Sequence, residues 1–156
     1  MTTETCVAGP LALEIAWNDG QVVALRLRWA EGRARSVASE AGEAVQAALD
    51  RYVAGDMPDW PELPFRWEGL SPFARRVLEE LSRVPYGQMV SYGWLAARAG
   101  SPGAARAVGR VMAQNPFALL IPCHRVVGAN GALVGFGPGL DMKRYLLDCE
   151  GVLASS

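Results

Sequence analysis

Ser91–Asn115, SYGWLAARAGSPGAARAVGRVMAQN, is the stretch from which the architecture of the second half follows. Ser91 opens a helix that runs through Trp94, Leu95 and Ala99 and stops at Gly100. Ser101-Pro102 opens another, through Arg106, Val108, Val111 and Met112, ended by Asn115-Pro116. A serine hydroxyl accepts from a free N–H of the first turn, and proline at the first helical position has its φ preset. Two helices joined so closely predict a helix-turn-helix. The second of them is pared down: Gly103, Ala104, Ala105, Ala107 and Gly109 are small, with Arg106 projecting alone and Arg110 one turn on. Such a helix suits close packing on a neighbour. It also suits entry into a DNA minor groove, which is about 6 Å wide where an ordinary helix spans about 10–12 Å. Spacing leaves both readings open.

Upstream, Ser71-Pro72 predicts a helix with Phe73, Val77, Leu78 and Leu81 on one face, stopping before Pro85-Tyr86-Gly87. Downstream, Gly128-Ala129-Asn130-Gly131 reads as a turn, and Val134-Gly135-Phe136-Gly137-Pro138-Gly139 as a loop whose backbone can lie directly against a ligand. Its spacing fits neither a P-loop nor a dinucleotide fingerprint. Residues 141–149 form a last helix that turns Leu146 and Leu147 inward and ends at Glu150-Gly151. In the first half, Leu11, Leu13, Ile15 and Trp17 alternate with other residues, as do Val23, Leu25, Leu27 and Trp29, around Asn18-Asp19-Gly20. That pattern is an antiparallel hairpin with one buried face. Val45, Leu49, Tyr52 and Val53 fall at helical spacing within residues 40–54, before Gly55; residues 57–64 are proline-rich, with a further strand near Phe65–Trp67. The expected fold is α+β. A small N-terminal hairpin/sheet-plus-helix domain (residues 1–70) precedes a mostly helical, winged-helix-like helix-turn-helix domain (residues 71–156).

With 156 residues, 51% of them apolar, the chain can bury a packed core. No apolar run reaches membrane-span length and the N-terminus lacks a signal pattern, so a soluble, cytoplasmic protein is expected. Three cysteines, at 6, 123 and 149, give neither a disulfide framework nor Cys-x-x-Cys metal spacing. No metal and no cofactor is expected. The net charge of −1 hides an asymmetry: residues 1–70 hold 6 arginines and 11 acids, whereas residues 71–156 hold 8 arginines, 1 lysine and 5 acids. A basic second half is compatible with a nucleic-acid face and equally with an ordinary solvated surface.

Ile121-Pro122-Cys123-His124-Arg125 carries the chemistry. His124 is the only histidine, and an imidazole is the usual base for turning a thiol into the reactive thiolate. Successive strand residues face opposite ways, so a direct Cys123–His124 bond needs a turn and a bridging water is easier. A third group must orient the imidazole, and Glu150 is the choice. A carboxylate at a helix C-terminus opposes the helix dipole, which a pairing with His124 would explain.

Asn115-Pro116 before Pro122-Cys123-His124-Arg125-Val126, followed by Gly135-Phe136-Gly137-Pro138-Gly139 and Leu146-Leu147-Asp148-Cys149-Glu150-Gly151, resembles the O6-alkylguanine-DNA alkyltransferases, the methylated-DNA–protein-cysteine methyltransferases. The resemblance is strong from about Phe73 to Val152. It implies single-turnover transfer of an alkyl group from O6 of guanine in double-stranded DNA to Cys123, by a monomer, with the base flipped out through the minor groove. It implies a Cys–water–His–Glu relay through Cys123, His124 and Glu150. Asn115, which can hydrogen-bond local backbone on both faces, is expected to brace the turn between the recognition helix and the active-site strand. It places Tyr92, Met112, Val126, Leu133, Phe136 and Gly137 around the base, Val126 and Gly137 through backbone groups. It sets Tyr92, Ala105, Arg106, Ala107, Gly109 and Arg110 against DNA, with Arg106 filling the gap left by the rotated nucleotide. Arg125 reads as structural. Some members carry zinc in the N-terminal domain; the residues for it are missing here. Phe136 stands where the family usually has Tyr, and Pro138 where Gly is common. The alternatives are a helix-turn-helix regulator with a sensor cysteine, a Cys–His hydrolase, and a lesion binder of the alkyltransferase-like group, which lacks the cysteine.

Overall fold

The computed structural model describes residues 1–152, in two compact units. The first comprises residues 1–66 with 116–118; the second comprises residues 67–115 with the described residues from 119 on. The chain thus leaves its C-terminal half briefly at Pro116–Ala118, where Leu25 N donates to Pro116 O at 2.7 Å and Phe117 stacks on Phe65, ring centroids 4.3 Å apart.

In the first unit, strands β1 (Thr2–Ala8), β2 (Leu11–Asn18) and β3 (Gln21–Trp29) form an antiparallel sheet in the order β1-β2-β3. The β2–β3 hairpin turns on Asp19 and Gly20, φ +51° and +76°, with Asn18 opposite Gln21. That left-handed pair matches the strand twist of a tight hairpin. Three features depart from the sequence reading. β1 is an additional strand, and β2 is closed on both faces, since Ala12 and Ala16 are buried as fully as Leu13 and Ile15. The segment near Phe65–Trp67 contributes only one bridge, Val22 to Phe65.

Helix α1 (Glu40–Val53) is capped by the Ser39 side chain and sends Val45, Leu49 and Tyr52 into the core. Gln46 on the same helix is buried beside β1, where its amide takes the place of another strand: Val7 N donates to Oε1 at 3.0 Å, and Nε2 donates to Val7 O at 2.8 Å.

The second unit carries α2 (Pro72–Leu81), α3 (Tyr92–Arg98), α4 (Ala105–Ala113) and α5 (Leu140–Cys149), with a short parallel pair of β4 (Val90–Ser91) and β5 (Val126–Val127). Ser71 caps α2 and Ser91 caps α3, each accepting from the N–H three residues on, as serine before an apolar stripe should. Ser101-Pro102, by contrast, does not start α4. Gly103 adopts φ +89°, a left-handed conformation that ends any helical path through it, so α4 begins at Ala105 without a side-chain cap. The helix-turn-helix therefore has a longer connection and a shorter second helix than the sequence suggests.

Replacing Gln46 by Leu should cost about 1–3 kcal/mol, because both Val7 backbone groups lose their partner while the volume is kept. Urea denaturation of the variant against the parent chain measures it.

Candidate active site

The reactive segment is turned, not extended. Pro122 (φ −83°, ψ +67°) closes a tight turn in which Cys123 N donates to Ile121 O at 2.8 Å. Arg125 N then donates to Pro122 O at 2.9 Å, giving a single 3-10 turn over Cys123–Arg125 that runs into β5. Just upstream, buried Leu119 adopts φ +73°, a left-handed conformation costing a non-glycine residue about 1 kcal/mol or more. The run from Ala118 to Ile121, which by composition reads as strand, is thereby bent towards the cysteine. The Asn115 amide holds this bend: Nδ2 donates to Ile121 O at 3.0 Å, and the side chain also hydrogen-bonds the Cys123 thiol.

His124 is completely buried, with Nε2 at 2.6 Å from Glu150 Oε2. Glu150 is the C-cap residue of α5, and its position is set by Gly151 (φ +71°). There Gly151 N donates to Asp148 O and Val152 N to Leu147 O, the paired bonds by which a left-handed residue ends a helix. The carboxylate is then gripped from all sides. Arg125 Nε donates to Oε1 at 2.8 Å and Nη2 to Oε2 at 3.2 Å, while Gly87 N donates to Oε1 at 3.0 Å. Arg125 Nη1 is itself tied to Val84 O at 2.8 Å. Three residues, the farthest of them 63 positions from Glu150 in sequence, meet at one buried anion.

These contacts set the proton affinities. Burial pushes the Cys123 thiol up; Asn115, the Lys143 charge and the N–H groups of the turn oppose this without cancelling it. Burial lowers the His124 imidazole against the raising effect of Glu150. Burial acts to raise Glu150, but His124 and Arg125 bring it down to about 2. His124 is the larger of the two influences; with the ring neutral its hydrogen bond to Glu150 remains while its charge does not. Arg125 and Gly87 N–H keep Glu150 ionised in either state of the ring. At rest the arrangement is a thiol, a neutral imidazole and a carboxylate.

Cys123, 7% exposed, opens onto a cavity of about 90 Å³ lined by Tyr92, Gly109, Met112, Ala113 and the Gly135-Phe136-Gly137 loop. Of the pocket residues expected from sequence, Tyr92, Met112, Phe136 and Gly137 line it. Val126 and Leu133 are not among the lining residues. Val126 is fully buried and its carbonyl is occupied by Lys143 Nζ at 2.6 Å, while Leu133 is half-buried in the preceding loop. Arg106 and Arg110 lie one turn apart on the exposed side of α4, with Ala105, Ala107 and Gly109 half-buried beside them. The Tyr92 hydroxyl donates to Val134 O at 3.2 Å. No group of residues able to hold a metal occurs among the described residues, and none of the described helices is long and apolar enough to cross a membrane.

Two contributors escape sequence reading. Arg125 reads as a structural arginine, yet it is the clamp on Glu150. Lys143 gave one signal: it sits on the apolar stripe of α5 with Met142, Leu146 and Leu147, a place where lysine is costly without partners.

Residues 72–152 match the family model described as 6-O-methylguanine DNA methyltransferase, DNA binding domain. The chain belongs to this methyltransferase family. A Mycolicibacterium paratuberculosis relative named methylated-DNA–protein-cysteine methyltransferase is 48% identical over 103 residues, 65% of this chain and 61% of that protein. One of the same name from Shigella flexneri is 42% identical over 123 residues, 79% of this chain and 71% of its own length. Against the mycobacterial proteins, then, the match spans about three fifths of the relative's length. Among solved structures, Mycobacterium tuberculosis OGT in complex with DNA superposes with a TM-score of 0.78 at 36% identity, covering 95% of this chain and 91% of that one. The O6-methylguanine-DNA methyltransferase of Pyrococcus kodakaraensis gives 0.71 at 26% identity, covering 96% and 98%. The α+β fold expected from sequence is the fold these family members share.

The Glu150 network sets an acid limit. Its folded pKa of about 2 lies below the ordinary 4.5, so its contribution to stability is complete above pH 4.5 and lost as pH falls towards 2. Urea denaturation at stepped pH should show that fall in the parent chain. Glu150→Gln should begin lower at neutral pH and fall less steeply.

Proposed function

We propose that this chain repairs DNA by direct reversal, taking the alkyl group from O6 of guanine onto its own Cys123. The observation that carries this reading is a cavity-facing thiol next in sequence to an imidazole that is bonded to a buried carboxylate. A thiol opens on a cavity beside the pared-down helix, and the adjacent imidazole bonds a carboxylate that Arg125 keeps ionised.

In this reading the Cys123 proton passes through water to His124 Nδ1, since Nε2 is committed to Glu150. Glu150 then stabilises the imidazolium, offsetting the cost of charging a buried ring. The thiolate attacks the alkyl carbon of O6-alkylguanine. A C–S bond forms as the C–O bond breaks, the electron pair leaves on the purine, and a proton returns to the base. Asn115 favours the thiolate by donating to the sulfur and holds the turn that aims it.

The reacting carbon lies inside the duplex stack, so the base must be extruded at a cost of about a few kcal/mol. Arg106, with Arg110 behind it, stands on the exposed face of α4 where it can fill the vacated space, and Ala105, Ala107 and Gly109 let the helix backbone approach the minor groove. Burial raises the Tyr92 phenol, so it stays a donor; to reach a base its hydroxyl must exchange the Val134 carbonyl for the ligand. Phe136 offers an aromatic face for stacking and, lacking a hydroxyl, adds no hydrogen bond. A thioether does not hydrolyse, so each molecule acts once, as a monomer working in the cytoplasm where its duplex substrate lies.

Incubation with duplex DNA containing O6-methylguanine should add one methyl group to Cys123 per molecule, seen by peptide mass, and Cys123→Ser should abolish it. Transfer persisting in that variant excludes the mechanism. Arg106→Ala should slow transfer from duplex DNA by about tenfold or more while leaving transfer from the free O6-methylguanine base unchanged, because only the duplex requires extrusion. Equal loss with both substrates removes Arg106 from that role.

A further inference from the structure

Lys143 is the only lysine in the chain, and it is completely buried. Its Nζ meets three backbone carbonyls: Val126 O at 2.6 Å, Val134 O at 3.0 Å and Gly135 O at 3.4 Å. An ammonium has three N–H donors and no acceptor, so three acceptors match the protonated form. Burying a charge on carbonyl dipoles alone is expensive, and a helix face shared with Met142, Leu146 and Leu147 has no packing need for it.

The carbonyls it gathers are not arbitrary. Val126 ends the turn that presents Cys123, and Val134-Gly135 lead into the cavity wall at Gly135–Gly137. The Val134 carbonyl is held a second time by the Tyr92 hydroxyl from α3. The charges around Lys143 are equally selective. Lys143 and Cys123 each favour the ionised form of the other. The remaining groups are His124, which the Lys143 charge disfavours as a cation, Arg125, Glu150, which those two occupy, and the Tyr92 phenol. The anion left for this ammonium to balance is the thiolate that Cys123 becomes on losing its proton.

We propose that Lys143 is a positioning residue for the alkyl acceptor: its buried ammonium ties the end of the reactive turn to the Val134–Gly135 arm of the cavity wall and holds a fixed positive charge behind the wall of the cavity onto which Cys123 opens. The word acceptor rests on the repair reading given above; the coupling of the two groups does not. Coupling is reciprocal. The ammonium eases loss of the thiol proton, and capping the sulfur removes the thiolate that would otherwise form as pH rises, so Lys143 releases its own proton more readily afterwards.

The test needs no DNA. Iodoacetamide alkylates a thiolate, the sulfur displacing iodide as the S–C bond forms, and peptide mass reports the rate at Cys123 across pH. In Lys143→Met, a neutral side chain of similar length, the pH midpoint should rise by about one unit or more, making alkylation about tenfold slower below it. A folded variant that melts earlier but keeps the parent midpoint overturns the proposal, since a purely structural lysine would do just that. Should the variant not fold, the parent chain decides. Its single lysine gives one side-chain 13Cε signal, whose titration midpoint should move down once Cys123 is carbamidomethylated; an unmoved midpoint overturns the proposal. Methyl transfer from O6-methylguanine DNA is scored separately, so either reading can fail while the other stands.

Discussion

One buried carboxylate organises the second unit. Glu150 takes hydrogen bonds from His124, twice from Arg125, and from the Gly87 backbone, so it joins the end of α5, the reactive turn and the segment before β4. A carboxylate desolvated at a helix C-terminus is unfavourable in isolation, because burial and the helix dipole both oppose the charge. Removing any donor would expose that cost. The network is therefore less a source of stability than a constraint: these elements must sit together, in this register, for the charge to be tolerated.

The reactive turn inherits its geometry from this constraint. Arg125 faces Glu150 and Val84 while Cys123 faces the cavity, and a 3-10 turn lets residues two apart serve such different neighbours. Left-handed Leu119 and the Asn115 amide set the approach to that turn. In the proposed relay, the resting protonation states follow from the same packing. Burial keeps the thiol protonated and the imidazole neutral, and Glu150 supplies its anion at the moment the ring charges. Two buried cationic side chains flank this path with different tasks. Arg125 secures the carboxylate end, and Lys143 gathers the carbonyls of Val126, Val134 and Gly135.

Much of this was legible in the chain. Asp19-Gly20, Ser71 and Ser91 each do locally what their side chains or backbone freedom dictate, so the hairpin and two helix starts follow from neighbours alone. Cys123, His124 and Glu150 stand out by residue type. Ser101-Pro102 misled, because a glycine two residues after the serine takes a conformation that local helix signals do not encode. Strand β1 went unread because its exposed Thr2 and Thr3 and its buried Glu4 break the alternation of apolar residues. Glu4 is accommodated by bonds from Trp17, Ala38 and Ser39, none of them visible in a local window. Val126 and Leu133 were placed at the cavity by resemblance, whereas the packing of α5 draws the Val126 carbonyl to Lys143.

By itself the sequence determined which groups are available: one imidazole, one cysteine beside it, a glutamate at a helix end, and a helix stripped of bulk. Types and short-range spacing are properties of the chain, and they suffice for local structure and for the kind of chemistry. Only the tertiary structure decided which of the charges meet. The Arg125 clamp, the Gly87 bond across 63 positions and the carbonyl cage around Lys143 depend on desolvation, which makes an unpartnered charge intolerable and so selects partners far apart in sequence.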